Sequence, residues 1–236
     1  MNSTIFHDLD VLYKEAADLF VDLSEKAIDK HGKFVVALSG GSSPKAIFSL
    51  LATSEYVDKV EWDKVFFFWV DERWVSLNDE KSNFKMTVET LLDKIQVSED
   101  HIFPMYKDGV EPEDYAKEYE NQIKNVLGNS GVFDFILLGM GDDGHTASLF
   151  PGEKVLDEKE KWVDAYYLQQ QEMYRITLTA PIINNAKNIL IVTFGKSKKH
   201  ALNEILNGKY NPRLYPLQLI EKKVGVQIFT DEEAGV

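Results

Sequence analysis

The chain predicts an α/β fold, one doubly wound domain over residues 1–236 with a mostly parallel sheet, and three observations carry that expectation. Helical and strand patterns alternate along the sequence with no repeat, low-complexity tract or long linker. The strand segments are apolar throughout rather than alternating, as strands covered on both faces are. Polar, glycine-bearing segments follow those strands, where open α/β sheets present their chemistry.

The elements follow in order. Leu9, Leu12, Ala16, Phe20, Leu23 and Ala27 recur every three or four residues and mark an amphipathic helix that stops near Gly32. Phe34–Leu38 reads as a buried strand, followed by the turn Ser39-Gly40-Gly41-Ser42-Ser43-Pro44 and a second helix, with Pro44 expected at its first position. Val65–Val70 (VFFFWV) is another buried strand, ending in Asp71-Glu72-Arg73. Pro112 opens and Gly128 closes a helix with the stripe Tyr115, Tyr119, Ile123 and Val126. The apolar run of Phe133 and Phe135–Leu138 then breaks into glycines, two carboxylates and an imidazole. Strands at Arg175–Thr179 and Ile189–Thr193, a helix from Ser197 to Asn207 and a strand over Val224–Phe229 complete the series.

Composition narrows the function. With 44% hydrophobic and 28% charged residues the chain reads as an ordinary globular protein. No apolar run reaches the roughly 18 residues of a membrane span, and Met1–Asp10 lacks the basic-then-apolar plan of a signal peptide. A cytoplasmic location is expected. Without cysteine there is no disulfide, thiolate nucleophile or zinc–thiolate site. A formal charge of −13 opposes nucleic acid or an anionic membrane as partner, so an anionic small molecule needs a local cationic pocket. The oligomeric state is left open, with a monomer favoured.

Four strand ends carry polar constellations, and in such a sheet they converge on one crevice. In Ser39-Gly40-Gly41-Ser42, glycines let amides approach an anion and hydroxyls add donors; neither GxxxxGK[ST] nor GxSxG is present. Asp71-Glu72-Arg73, with Ser82-Asn83 nearby, follows four aromatic residues and reads either as site or as a solvated turn. The central loop, Gly139-Met140-Gly141-Asp142-Asp143-Gly144-His145, matches the dinucleotide fingerprint GxGxxG, but Asp142 and Asp143 would repel a pyrophosphate. An imidazole, with an ordinary pKa of about 6.5, suits proton abstraction at neutral pH, which makes His145 the expected base. One His and two adjacent Asp are too few ligands for a metal, so none is expected. His7, His31, His101 and His200 have no comparable setting and are expected at the surface. The fourth constellation is cationic: Arg175 opens RITLT, and Gly195-Lys196-Ser197-Lys198-Lys199 joins a strand to a helix, with Ser197 as its expected cap. Together the four describe a pocket for a phosphorylated metabolite with an imidazole as base.

The segments SGGSSP, DERWVSLNDEKSN, LLGMGDDGHTASLFPG, RITLT and VTFGKSK resemble, in order and spacing, those of the 6-phosphogluconolactonases, within the wider group that includes glucosamine-6-phosphate deaminases. The likeness runs from about Phe34 nearly to the C-terminus, and GDDGHTASLFPG is its most specific part. It implies a single Rossmann-like three-layer α/β/α domain. It also implies cofactor-free hydrolysis of 6-phosphoglucono-1,5-lactone to 6-phosphogluconate, the second step of the oxidative pentose phosphate pathway. On that resemblance His145 matches the general base, Asp143 and Asp71 the acids lining the site. Ser39, Gly40, Gly41, Ser42, Arg73, Arg175 and Lys198 match the substrate and phosphate contacts. Lys198 fits the family's G-x-x-K spacing after Gly195, with Lys196 and Lys199 as alternatives. The family usually has Thr where this chain has Ser43, which keeps the hydroxyl. The alternative is deaminase activity. Deaminases carry a glutamate five positions beyond the His, where this chain has Phe150, so the resemblance leans to the lactonases.

Overall fold

A computed structural model describes residues 2–221, 223 and 225–235. Among the described residues, nine strands form two sheets. The larger sheet holds β1 (Asn2–Phe6), β2 (Phe34–Leu38), β3 (Val65–Trp69), β5 (Phe135–Gly139), β8 (Asn188–Thr193) and β9 (Val226–Asp231). All its pairings are parallel, in the order β1-β9-β8-β5-β2-β3. Every residue of β2 is buried, and β5 and β8 are buried except at one end, so both of their faces are covered. That cover explains the unbroken apolar runs. The mostly parallel three-layer α/β/α architecture expected from the sequence is present.

The helices are α1 (Leu9–His31), α2 (Ser42–Leu51), α3 (Asn83–Thr90), α4 (Pro112–Leu127), α5 (Ala180–Asn184) and α6 (Lys199–Asn207). Asp8 caps α1 by accepting from the Asp10 amide, and Gly32 ends it at φ 78°, a left-handed turn that glycine makes without steric cost. Phe20 of α1 packs edge-on against Phe34 and Phe135, tying the helix to the centre of the sheet. One contiguous apolar core runs from α1 to β9. Among the described residues, no helix is long and apolar enough to cross a membrane.

Several features depart from expectation. The strand at 175–179 is β7 (Met173–Leu178), and it lies in a second sheet, antiparallel, between β4 (Asp71–Arg73) and β6 (Val163–Leu168). Pro44 is the third residue of α2, because the helix already turns at Ser42 after Gly41 at φ 110°. The cationic segment starts with a single 3₁₀ turn, Lys196–Lys198, before α6, and Ser197 makes no cap bond there. The last strand begins at Val226; Val224, where it was expected to start, lies outside the described residues. His7 and His200 are exposed, and His31 pairs with the buried Asp134. His101 departs from its expected surface position: it is half-buried, its ring stacked 3.8 Å from Phe66.

Candidate active site

Strand order locates the site. From β2 the chain moves to β3 on one side, then to β5 on the other, so the order reverses between β2 and β5. Loops leaving the carboxyl ends of two such strands diverge and open a crevice. Here those loops are Ser39–Ser43 and Gly139–His145, and the Ser39 hydroxyl donates to the Leu137 carbonyl at 2.8 Å, joining them. The crevice is a cavity of about 290 Å³ lined from five strand ends, including Ser39, Gly41, Asp71, His145, Arg175 and Lys198.

The first loop turns open amides toward the cavity. The amides of Gly40, Gly41, Ser42 and Ser43 have no hydrogen-bond partner within the described protein, and they stand at the positive end of α2. Gly40 is held close by Asn83: a Cβ at position 40 would lie 1.8 Å from the Asn83 side-chain oxygen. Asn83 in turn donates to the Asp71 carbonyl at 2.9 Å.

The second loop orients an imidazole. Asp143 Oδ1 lies 2.6 Å from His145 Nδ1 and also accepts the His145 amide at 3.0 Å. Burial would raise the Asp143 pKa, but the bonds from the His145 ring and amide and the charge on His145 outweigh it and hold the carboxyl below its usual range. An ionised carboxylate only accepts, so Nδ1 carries the proton and Nε2 keeps its lone pair. Among the described residues, Nε2 has no hydrogen-bond partner. Phe150 stacks on the imidazole at 4.1 Å and 27°, fixing the ring from one face. Gly141 is required beneath it, since a Cβ there would meet His145 Nδ1 at 2.1 Å. The loop is held from outside by the segment after α6: the Leu217 amide donates to the Gly144 carbonyl, and the Gly152 amide to the Arg213 carbonyl, both at 2.9 Å. Ala147, on the cavity wall, has φ 49°, a left-handed conformation that costs a residue with a Cβ roughly 1 kcal/mol.

The charged side chains differ in how free they are. Arg175 and Asp71 form a buried pair, Nη2 to Oδ2 at 3.0 Å. The Ser148 hydroxyl donates to the same Asp71 oxygen at 2.6 Å and accepts from Arg175 Nε at 2.8 Å. Arg175 Nη1 reaches Gln171, so all three guanidinium nitrogens are engaged inside the protein. Arg73 is freer: Nη1 meets the Lys81 carbonyl, and its buried Nε has no partner among the described residues. Of the three lysines on the cationic turn, Lys198 lines the cavity, paired with Asp142 at 2.5 Å, whereas Lys196 and Lys199 are exposed. Glu72 points away from the cavity. Its buried carboxylate accepts from the Asn83 and Phe84 amides and the Ser82 hydroxyl, capping α3, and burial pushes its pKa up against those bonds.

The structure thus brings Ser39, Gly40, Gly41, Ser42, Asp71, Arg73, His145, Arg175 and Lys198 onto one cavity, with Asp143 directly behind His145. Sequence reasoning did not assign Asn83, Ser148, Thr193 or the Asp142–Lys198 pair. Thr193 lines the cavity with a buried hydroxyl that lacks a partner among the described residues. Ser148 acts through its contact with Asp71, 77 residues distant in the chain, and carries no local signal, whereas Asn83, noted beside the Asp71-Glu72-Arg73 segment without a role, acts through its bond to the Asp71 carbonyl. Among the described residues, no group of three or more His, Cys, Asp or Glu is placed to hold a metal ion.

Fold and site together define an α/β protein with a histidine–carboxylate pair beside a loop of open backbone amides at its switch point. Residues 7–229 match the family described as glucosamine-6-phosphate isomerases/6-phosphogluconolactonase, and the chain belongs to that family. A 6-phosphogluconolactonase of Synechocystis sp. is 37% identical over 214 residues, 89% of this chain and 87% of that one. The crystal structure of 6-phosphogluconolactonase from Thermotoga maritima is similar at a TM-score of 0.83 and 26% identity, covering 98% of this chain and 99% of that one. A monomeric glucosamine-6-phosphate deaminase shares the fold at a TM-score of 0.85, covering 99% and 98%, with 21% identity.

Proposed function

We propose that this chain hydrolyses 6-phosphoglucono-1,5-lactone to 6-phosphogluconate, with His145 as general base. The observation that carries the reading is the Nδ1 bond to Asp143, which leaves Nε2 open on a cavity that also holds the amides of Gly40–Ser43 and the Lys198 ammonium. The relatives named 6-phosphogluconolactonase support the substrate.

The steps follow from those parts. Lys198 and Arg73 hold the phosphate of the substrate, spending binding energy remote from the reacting carbon. His145 Nε2 takes a proton from water as its oxygen bonds to the lactone carbonyl carbon, and Asp143 stabilises the imidazolium that forms. Backbone amides of the glycine loop donate to the tetrahedral oxyanion. Collapse breaks the bond to the ring oxygen, which recovers the proton from His145 and leaves the acid and a free hydroxyl. Asp71, buried with Arg175, fixes the cavity wall through Ser148 rather than exchanging protons.

The test is lactone hydrolysis on freshly generated substrate, with ammonia release from glucosamine 6-phosphate measured in parallel. Hydrolysis well above the spontaneous rate and no ammonia are expected, because the Phe150 ring has no proton to relay. Ammonia release at a rate matching hydrolysis would overturn the assignment.

A further inference from the structure

Two of the three lysine and arginine side chains on the cavity are paired with carboxylates, and that pairing bears on affinity. Arg175 is balanced by Asp71, and Lys198, the cation that lines the cavity beside the open amides, is balanced by Asp142. Asp142 is not a buried structural partner. Its side chain is 64% exposed against 23% for Lys198, so it can swing to solvent without leaving an unpaired charge in the interior. It is also held from one side only, by the Ser197 hydroxyl at 3.0 Å and by Lys198. The neighbouring Asp143 serves the imidazole, so two adjacent carboxylates sit on different partners, one on the base and one on the cation. A phosphate that approaches Lys198 meets the Asp142 carboxylate on the same ammonium, and like charges at that separation repel.

We propose that Asp142 is a positioning residue that sets the strength of the phosphate grip by competing with the substrate for Lys198. In the free protein Lys198 is aimed and neutralised by Asp142. On binding, the phosphate takes the ammonium and Asp142 turns to water, so the net gain is the phosphate contact less the contact it displaces. The result is a weaker hold on any phosphate-bearing ligand, product included, than Lys198 would give alone. This rests on the reading of Lys198 as phosphate anchor.

The experiment is a double-mutant cycle of Asp142→Asn and Lys198→Ala, measured on the phosphorylated lactone, on glucono-1,5-lactone, and by inhibition with inorganic phosphate. Asp142→Asn should lower KM for the phosphorylated lactone and the inhibition constant of phosphate by about three- to tenfold, the scale of one exposed ion pair plus the relieved repulsion. In the Lys198→Ala background the same substitution should change neither. Asp142→Ser, which removes the charge without leaving an amide, should act like Asp142→Asn, and equal melting temperatures would show that both variants fold. An unchanged or raised KM in Asp142→Asn overturns the proposal, as does an equal fall on the phosphate-free lactone or in the Lys198→Ala background. If Lys198→Ala alone leaves the preference for the phosphorylated lactone intact, the anchor reading fails and this inference fails with it. An intact anchor with an indifferent Asp142 would overturn the inference alone.

Discussion

Asp143 decides which nitrogen of His145 is free, and that makes two substitutions informative. His145→Gln removes the proposed base and should lower kcat by about 10²–10⁴ with the fold retained. Asp143→Asn keeps the shape, but its amide can donate to Nδ1 and drive the proton to Nε2, so a kcat loss of the same order, about 10²–10⁴, is expected. In the wild type, log kcat/KM should fall with unit slope on the acid side, and that limb should vanish in His145→Gln. Asp143 adds a stability signature of known sign. Its carboxyl is held below 3.8, so its pairing is present above that value and lost as pH falls through the depressed folded value. Melting curves of Asp143→Asn should therefore show less acid dependence below about pH 4 than the wild type. Arg175 and Lys198, both cations on the cavity, should separate. Arg175→Ala leaves Asp71 buried without its partner and should cost about 3–5 kcal/mol, a melting temperature lower by on the order of 10 °C. Lys198→Ala should melt normally and raise KM for the phosphorylated lactone about tenfold, the low end for a charge-assisted bond, because Asp142 already compensates the charge. Neither its sequence position nor its residue type distinguishes Arg175 from a free phosphate fork; the difference lies in Ser148 and Gln171, reached only through the fold.

Elements with their own physical signature were legible, and those made by tertiary pairing were not. β2, β3, β5 and β8 are unbroken apolar runs because both faces are covered, and α1 and α4 carry stripes bounded by a cap or proline and a glycine. β1 (NSTIF) lies at a sheet edge and β6 (VDAYYL) alternates buried with partly exposed positions, so neither presents such a run. β4 consists of Asp71, Glu72 and Arg73, three charged residues that are a strand only because β7 pairs with them. The same limit hides the outer brace on the histidine loop, whose partners at Arg213 and Leu217 follow more than 50 residues later. Gly144 tests that brace. Its φ is 79° and an added Cβ would sit 3.1 Å from the Tyr215 ring. Gly144→Ala should cost roughly 1–2 kcal/mol in stability for the left-handed backbone. It should also lower kcat by on the order of 10²-fold, the effect of displacing a reacting group by about 1 Å. A Gly144→Ala protein with wild-type kcat would show that the brace is not needed for positioning.

At the scale of the molecule, the charge of −13 and the cationic cavity act against each other, so binding of an anion is a local achievement within an unfavourable field. Product at about 100 times its Kd should stabilise the fold by about 2.7 kcal/mol, a melting temperature higher by roughly 5–10 °C, and Lys198→Ala should blunt that shift at the same ligand concentration. The larger sheet has a further consequence, for how the protein is made. β1 pairs with β9, so Asn2 stands opposite Gln227 and a strand made early waits for one that follows far later in the chain. Until then β9 is missing as well, and β8, whose end carries the turn to Lys198, is an open edge. Synthesis can therefore complete α1, β2 and β3 well before β9 is available to close the sheet. Recovery of catalytic activity during synthesis or refolding becomes a clock for that last pairing, and a pause anywhere before β9 leaves an exposed strand edge free to recruit a neighbouring nascent chain.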